Sequence, residues 1–410
     1  MISQEDVKDV SLSSHNTGTF SFDKIVITLL LAALVSILSS VVDFSQPLPA
    51  WRLPATGAVV GSILIISRFR VGKFSLQALI LLFFWSGYAT MSVASAIVSN
   101  DNIVGELWQL IGVPFVFFFV IPHYTKSNGI SITAMAMVLG YIPFILSSLI
   151  FHPIEVNYEG IYANPNAMGM VATTWIVGLL ILVRGYIIDS GRNLSKTFFS
   201  IIAGLSILVA LIIVVASSSR TSLVTVGIIF FIFVWTLLLD ASKKKSWIVL
   251  IITGVSLFVM FTLITGVTGR GDGVLKGQMT KFDGRLSSVS GREVIWQAVL
   301  KNTSILGYGN SDLERRVGDP AHNTHMEILH AKGSIGLLFR VFFDMMVIKM
   351  TYRLAVRKVR ENGYAVGPFM MVMTYMIMGL TENVNGTLGS GIHMSFLVMI
   401  GMALNYDEYN

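Results

Sequence analysis

Two short polar runs hold the residue types that can do chemistry. One is Gly291-Arg292-Glu293-Val294-Ile295-Trp296; the other is Ala321-His322-Asn323, with His325, Glu327 and His330 close behind. A guanidinium grips phosphate through paired N–H donors. An imidazole, with an ordinary pKa of about 6.5, can take or give a proton near neutral pH. Both runs lie in one water-loving interval, residues 267–333, which also carries Arg285, Arg315 and Arg316. Arg285 is a further candidate for contacting phosphate. His322 and His325 are three residues apart and lack the His-x-x-x-His spacing of zinc-binding helices, so no metal site is expected.

Three more features belong with these runs. Ser217-Ser218-Ser219-Arg220-Thr221-Ser222 packs an arginine among hydroxyls at the start of an apolar stretch, where a helix N-terminus adds partial positive charge. Tyr162-Ala163-Asn164-Pro165-Asn166 opens another apolar stretch, and the plain role for Asn166 is an N-cap. Substrate contact by Asn164 and Asn166 is the functional alternative. Glu382, in Thr381-Glu382-Asn383, follows an apolar run directly and is a candidate for touching an acceptor sugar. Arg340 and Asp344 are spaced to pair along one helix face.

The elements that position these residues must be membrane helices. Apolar residues make up 54 % of the 410, charged residues only 13 %, and the mean hydropathy is +0.72. Runs of roughly 20 apolar residues, the length needed to cross a bilayer, recur along the chain. The expected fold is an all-α polytopic membrane protein of about twelve transmembrane helices. They are placed near 24–42, 53–67, 74–98, 103–121, 130–151, 167–188, 197–216, 221–239, 246–266, 334–351, 365–380 and 388–404.

This divides the chain into a cytoplasmic tail (1–23), nine spans (24–266), one large extracytoplasmic loop between the ninth and tenth spans (267–333), three spans (334–404) and a second cytoplasmic tail (405–410). The orientation comes from basic residues. Arg68, Arg70, Lys73, Lys126, Arg184, Arg192, Lys196, Lys243, Lys244, Lys245, Arg353, Arg357, Lys358 and Arg360 fall on one side, against Arg52 and Arg220 on the other. The net charge of +6 follows from these loops and does not call for nucleic acid. With no cysteine, the chain has no disulfide and no thiolate metal site.

The order of Ser219-Arg220-Thr221-Ser222, Gly291-Arg292 with Trp296, Leu306-Gly307-Tyr308-Gly309, His322-Asn323 and Lys332-Gly333-Ser334-Ile335-Gly336-Leu337 resembles the bacterial O-antigen ligase and Wzy-type polysaccharide polymerase superfamily. That resemblance implies an inverting glycosyltransferase of the bacterial inner membrane, working without metal or cofactor on its periplasmic or extracellular side. The donor would be a glycan on undecaprenyl pyrophosphate, and the acceptor a second glycan or a lipid. Arg220 and Arg292 would hold the pyrophosphate and His322 would activate the acceptor hydroxyl. Arg285, Asn323, Glu382, Asn164, Asn166 and Trp296 would line the substrates. A chain-length regulator is a possible partner.

The motifs lean toward a repeat-unit polymerase, with a ligase that passes glycan to a lipid A core as the alternative. A lipid-linked glycan flippase is the rival from another class. It would place ionisable groups at span centres and show internal symmetry, and the sequence has no such repeat.

Overall fold

The computed structural model describes residues 22–40, 51–72, 75–162, 164–188, 194–239, 292–310, 312–318, 320–384 and 390–406. Among these residues every regular element is a helix. Six helical stretches are long and apolar enough to cross a membrane: Phe22–Ser39, Leu76–Ser99, Val104–Phe151, Pro165–Tyr186, Phe198–Ala216 and Arg220–Leu238. Val104–Phe151 covers two of the expected spans; π-helical turns at Trp108–Gly112 and Pro114–Val120 lie within the first, and Ile121–Thr125 with a 3-10 turn at Lys126–Asn128 leads into the second. The shorter apolar helices Arg52–Ile66, Gly363–Gly379 and Gly391–Leu404 fall on three more. The expected ninth span, 246–266, and Arg285 lie outside the described residues.

Two basic residues read as loop charges are structural instead. Arg184 is fully buried within Pro165–Ile188 and donates to the Thr236 carbonyl at 3.0 Å. Arg52 is buried at the head of its helix and donates to the Leu38 carbonyl at 2.7 Å. Each satisfies a carbonyl of a neighbouring helix, which is how a buried guanidinium becomes tolerable in an apolar bundle.

The helix Thr324–Lys358 is the backbone of the site. Its lower part runs antiparallel to Leu76–Ser99. Phe84 stacks on Phe342 with ring centroids 5.4 Å apart, Trp85 meets Phe343 at 5.1 Å, and Tyr88 lies under the Arg340 guanidinium at 5.6 Å. Gly87 admits the Phe339 ring where any side chain would collide with it. From Phe84 and Trp85 to Gly87 and Tyr88 the partners drop from Phe342 and Phe343 to Phe339 and Arg340, the signature of opposed directions.

At Gly333 the helix breaks, with φ 76 and ψ 179, a conformation essentially reserved for glycine. His325 Nε2 nevertheless lies 3.3 Å from Asp344 Oδ2. At 1.5 Å per residue, Asp344 is about 16 Å beyond the break and His325 about 12 Å before it. The two can meet only if the segment before Gly333 folds back alongside the segment after it. Leu329 and Leu337, on opposite sides of the break, accordingly share one small core with Ile295, Val299, Leu313 and Ala321. The polar interval is thus partly a packed unit, built by Arg292–Lys301, Asp312–Val317 and the fold-back limb. Ile295 and Val299 are buried there, whereas Leu300 is 55 % exposed.

The break itself is clamped. The amides of Tyr308 and Gly309 donate to the carbonyls of His330 and Ala331 at 3.0 and 3.1 Å, and Gly309 also donates to Ser95 Oγ at 3.0 Å. Lys332 pairs with Glu106 at 2.9 Å, both buried, and Asn310 donates to the same carboxylate at 2.6 Å. Removing one partner of such a pair leaves an uncompensated charge at a cost of about 3–5 kcal/mol.

A Cβ on Gly333 would sit 2.1 Å from the Ile305 carbonyl oxygen, on top of the conformational strain. Gly333→Ala is therefore expected to lose at least about 1–3 kcal/mol. The change should read out as a lower melting temperature of the detergent-solubilised protein.

Candidate functional site

Five segments distant in the sequence converge where the fold-back limb begins. The first is the start of Pro165–Ile188. Asn164 is its cap, since its Oδ1 accepts from the Asn166 amide at 2.8 Å. This corrects the expectation for Asn166, whose side chain is left to donate to Glu382 Oε1 at 2.9 Å. The second is the turn before Arg220–Leu238, capped by Ser219, which packs so closely on Gly169 that a Cβ there would strike Ser217, Ser219 and Ser222. The third is Arg292, opening Arg292–Lys301. The fourth is Ala321–Thr324, and the fifth is Leu380–Glu382, just past Gly367–Gly379.

Hydrogen bonds lace these segments together. Arg292 donates to the Thr381 carbonyl at 2.7 Å and pairs with Glu382 Oε1 at 3.3 Å. His322 Nδ1 lies 3.3 Å from Glu382 Oε2. The Thr324 hydroxyl donates to the Glu382 carbonyl at 3.0 Å. Thr221, next to Arg220, shares a hydrogen bond with Thr381. Through that contact the Arg220 segment joins the same cluster as Arg292, His322, Asn166 and Glu382. The Glu382 side chain is 11 % exposed, Arg292 20 % and His322 33 %, so the cluster is recessed yet reachable.

The tautomer of His322 follows from its partner. A carboxylate only accepts, so in the neutral ring this contact assigns the proton to Nδ1 and leaves the lone pair on Nε2. A positioned imidazole of this kind can act as a general base. Beside it Arg292 shares the Glu382 carboxylate, and the segment that bears Arg220 adjoins through Thr221. The N-termini of Pro165–Ile188, Arg220–Leu238 and Thr324–Lys358 add further positive potential for an anion.

Other candidate residues hold the frame. The Trp296 indole donates to the Ala321 carbonyl at 2.8 Å, and the Ala321 amide donates to Glu327 Oε1 at 2.6 Å. Ala321 is thereby pinned on both sides, and His322 keeps a left-handed backbone, φ 47, that a non-glycine residue seldom adopts. Asn323 caps the fold-back limb, accepting from the amides of His325 and Met326 at 2.9 and 3.0 Å and donating to the Leu380 carbonyl at 2.8 Å. Arg315 and Arg316 pair with Asp101 and Asp312 and are more than half exposed.

The sequence did not reveal that Glu382 binds both His322 and Arg292. The weak signal was its polar setting in Thr381-Glu382-Asn383 directly after an apolar run, which marks a helix end placed to meet other segments.

His330 plays a different part. Its ring lies tilted against Tyr308 at 5.2 Å and its Nε2 donates to Asp312 Oδ2 at 3.0 Å, while Nδ1 is buried with no partner among the described residues. Burial lowers its pKa below the ordinary value, and Asp312 only partly offsets this. The folded state therefore favours the neutral ring, and its contribution is complete above the ordinary pKa of about 6.5. As pH falls below that value the unfolded chain binds the proton first, so stability declines. Melting temperature measured from pH 8 to pH 5 should fall on the acid side, and His330→Phe should flatten that slope.

Comparison with known proteins agrees with the motif resemblance. The family described as O-antigen ligase matches residues 205–341, a stretch that holds Arg220, Arg292, His322 and the fold-back limb. No curated protein matches the chain. That stretch thus carries an O-antigen ligase domain of the ligase and Wzy superfamily, within a multi-pass membrane protein.

Proposed function

We propose that the protein is a repeat-unit polymerase of a bacterial surface polysaccharide, an inverting glycosyltransferase that uses undecaprenyl-pyrophosphate-linked glycan as donor. One observation carries this reading. Glu382 gathers Arg292, His322 and Asn166 around a single carboxylate, beside the segment that bears Arg220. The family matched by residues 205–341 handles lipid-linked glycans, and its domain spans both arginines and the histidine.

In this reading Arg220 and Arg292 hold the donor diphosphate. His322 Nε2 takes the proton from the acceptor hydroxyl, and the hydroxyl oxygen attacks the anomeric carbon from the face opposite the diphosphate. The bond from that carbon to the diphosphate oxygen breaks, and its electron pair stays with the leaving group. Two fixed guanidinium groups at a water-poor boundary stabilise that growing charge. Glu382 keeps the proton-bearing nitrogen of His322 turned away from the acceptor and stabilises the imidazolium that forms. The reaction takes place on the extracytoplasmic side of the inner membrane, where a chain-length regulator is a candidate partner. Arg285, Asn164 and Asn166 are proposed to contact the glycans.

A second reading, transfer of a finished chain to a lipid A core, is favoured by the description of the matching family, O-antigen ligase. Purified protein supplied with lipid-linked repeat units alone separates the two. A ladder of longer products is expected from a polymerase; products that form only when lipid A core is added would decide for the ligase. In the same assay Arg292→Ala and His322→Ala are expected to abolish extension. Glu382→Gln should lower the rate by about 10²- to 10⁴-fold through loss of the oriented tautomer. Full extension by both alanine variants would sink the assignment.

A further inference from the structure

The second histidine of the fold-back limb is built in beside the first, but with a different partner. His325 Nε2 lies 3.3 Å from Asp344 Oδ2, and Asp344 Oδ1 accepts from Arg340 Nε at 2.8 Å. Each carboxylate oxygen thus serves one partner. Arg340 is in turn fixed from several sides. Its NH2 donates to the Tyr375 hydroxyl at 3.2 Å, and the rings of Tyr88, Tyr375 and Phe343 surround the guanidinium at 5.5 to 5.8 Å. It is 1 % exposed, so the anchor is rigid.

His325 also stands one residue from Thr324, whose hydroxyl grips the Glu382 carbonyl, and three from His322. Of the contacts that fasten the limb, the one from His325 to Asp344 joins it to its own descending helix far from the break. Tyr308, Gly309 and Lys332 hold the limb at the break, while Asn323 and Thr324 tie its outer end to the Leu380 and Glu382 carbonyls of another segment. The His325 contact therefore fixes the outer end, which carries His322, directly against the segment that follows Gly333.

We propose that His325 is a positioning residue for glycan transfer. Its Nε2–H, received by Asp344, holds the fold-back limb against the descending helix and so sets the placement of His322 over the donor. It needs a donor of the right reach, not a titratable ring. This rests on the transferase reading of the His322 site. It separates His325 from an acid–base role and gives the buried Arg340–Asp344 pair a task in the reaction beyond folding.

Reach is the variable to test. In His325→Gln the side-chain amide extends far enough to donate to Asp344, while in His325→Asn the same amide is one methylene shorter and falls short. Both variants, with His325→Ala, His322→Ala and the unaltered protein, would be assayed on undecaprenyl-pyrophosphate-linked repeat units. Folding would be checked by gel filtration and melting temperature in detergent.

His325→Gln is expected to keep kcat within about threefold and an unchanged pH profile. His325→Asn and His325→Ala should lose about 10- to 100-fold in kcat with KM little changed, the scale at which a small misplacement of a reacting group is felt. A folded His325→Gln as slow as His325→Asn would overturn the proposal in favour of chemistry by the ring itself. His325→Asn at the unaltered rate, with His322→Ala inactive, would overturn it while leaving the transferase reading intact. Failure of the unaltered protein to form product would instead count against that reading. If His325→Ala does not fold, the Gln and Asn pair still decides.

Discussion

One buried carboxylate holds the site in register. Glu382 is nearly enclosed, and a nearly enclosed charge is stable only when its lone pairs are met by donors. The donors come from three other segments: the Arg292 guanidinium, the His322 ring and the Asn166 amide. The electrostatic need of a single group therefore forces four stretches of chain together. It also leaves the arginine only partly neutralised and the imidazole with a single free face.

The second constraint is geometric. Gly333 takes a backbone conformation closed to other residues and stands too near the Ile305 carbonyl to admit a side chain. That turn carries the start of the helix back into the bundle, so His322 is not on a surface loop. The His322 side chain is 33 % exposed, and charge interactions in such a recess are stronger than in open solvent. The fold-back limb is held by polar contacts at both ends and by a small apolar core around Leu329 between them. Rigidity there is what a site of convergent short segments requires.

Much of this was legible in the residues, and some was not. Hydropathy placed eleven of the expected apolar segments on described helices, because burying apolar length is a local property of sequence. Arg340 with Asp344 was readable because four residues is one helical turn.

Contacts through space were different. Glu382 is 60 residues from His322 and 90 from Arg292, and no periodicity links them. Nor does Lys332-Gly333-Ser334 announce a reversal, since a glycine before an apolar run looks like any helix entry. Arg184 was mistaken for a loop charge because its counter-group, the Thr236 carbonyl, belongs to another helix.

The order in which the five segments occur along the chain has a consequence for biogenesis. Asn164 and Arg220 enter the membrane early, Arg292 and His322 follow, and the carboxylate that unites them is translated last of the group. A ribosome-bound intermediate therefore displays the cationic groups before their organiser exists. The cluster around Glu382 therefore closes only once the chain beyond Gly367–Gly379 has been made.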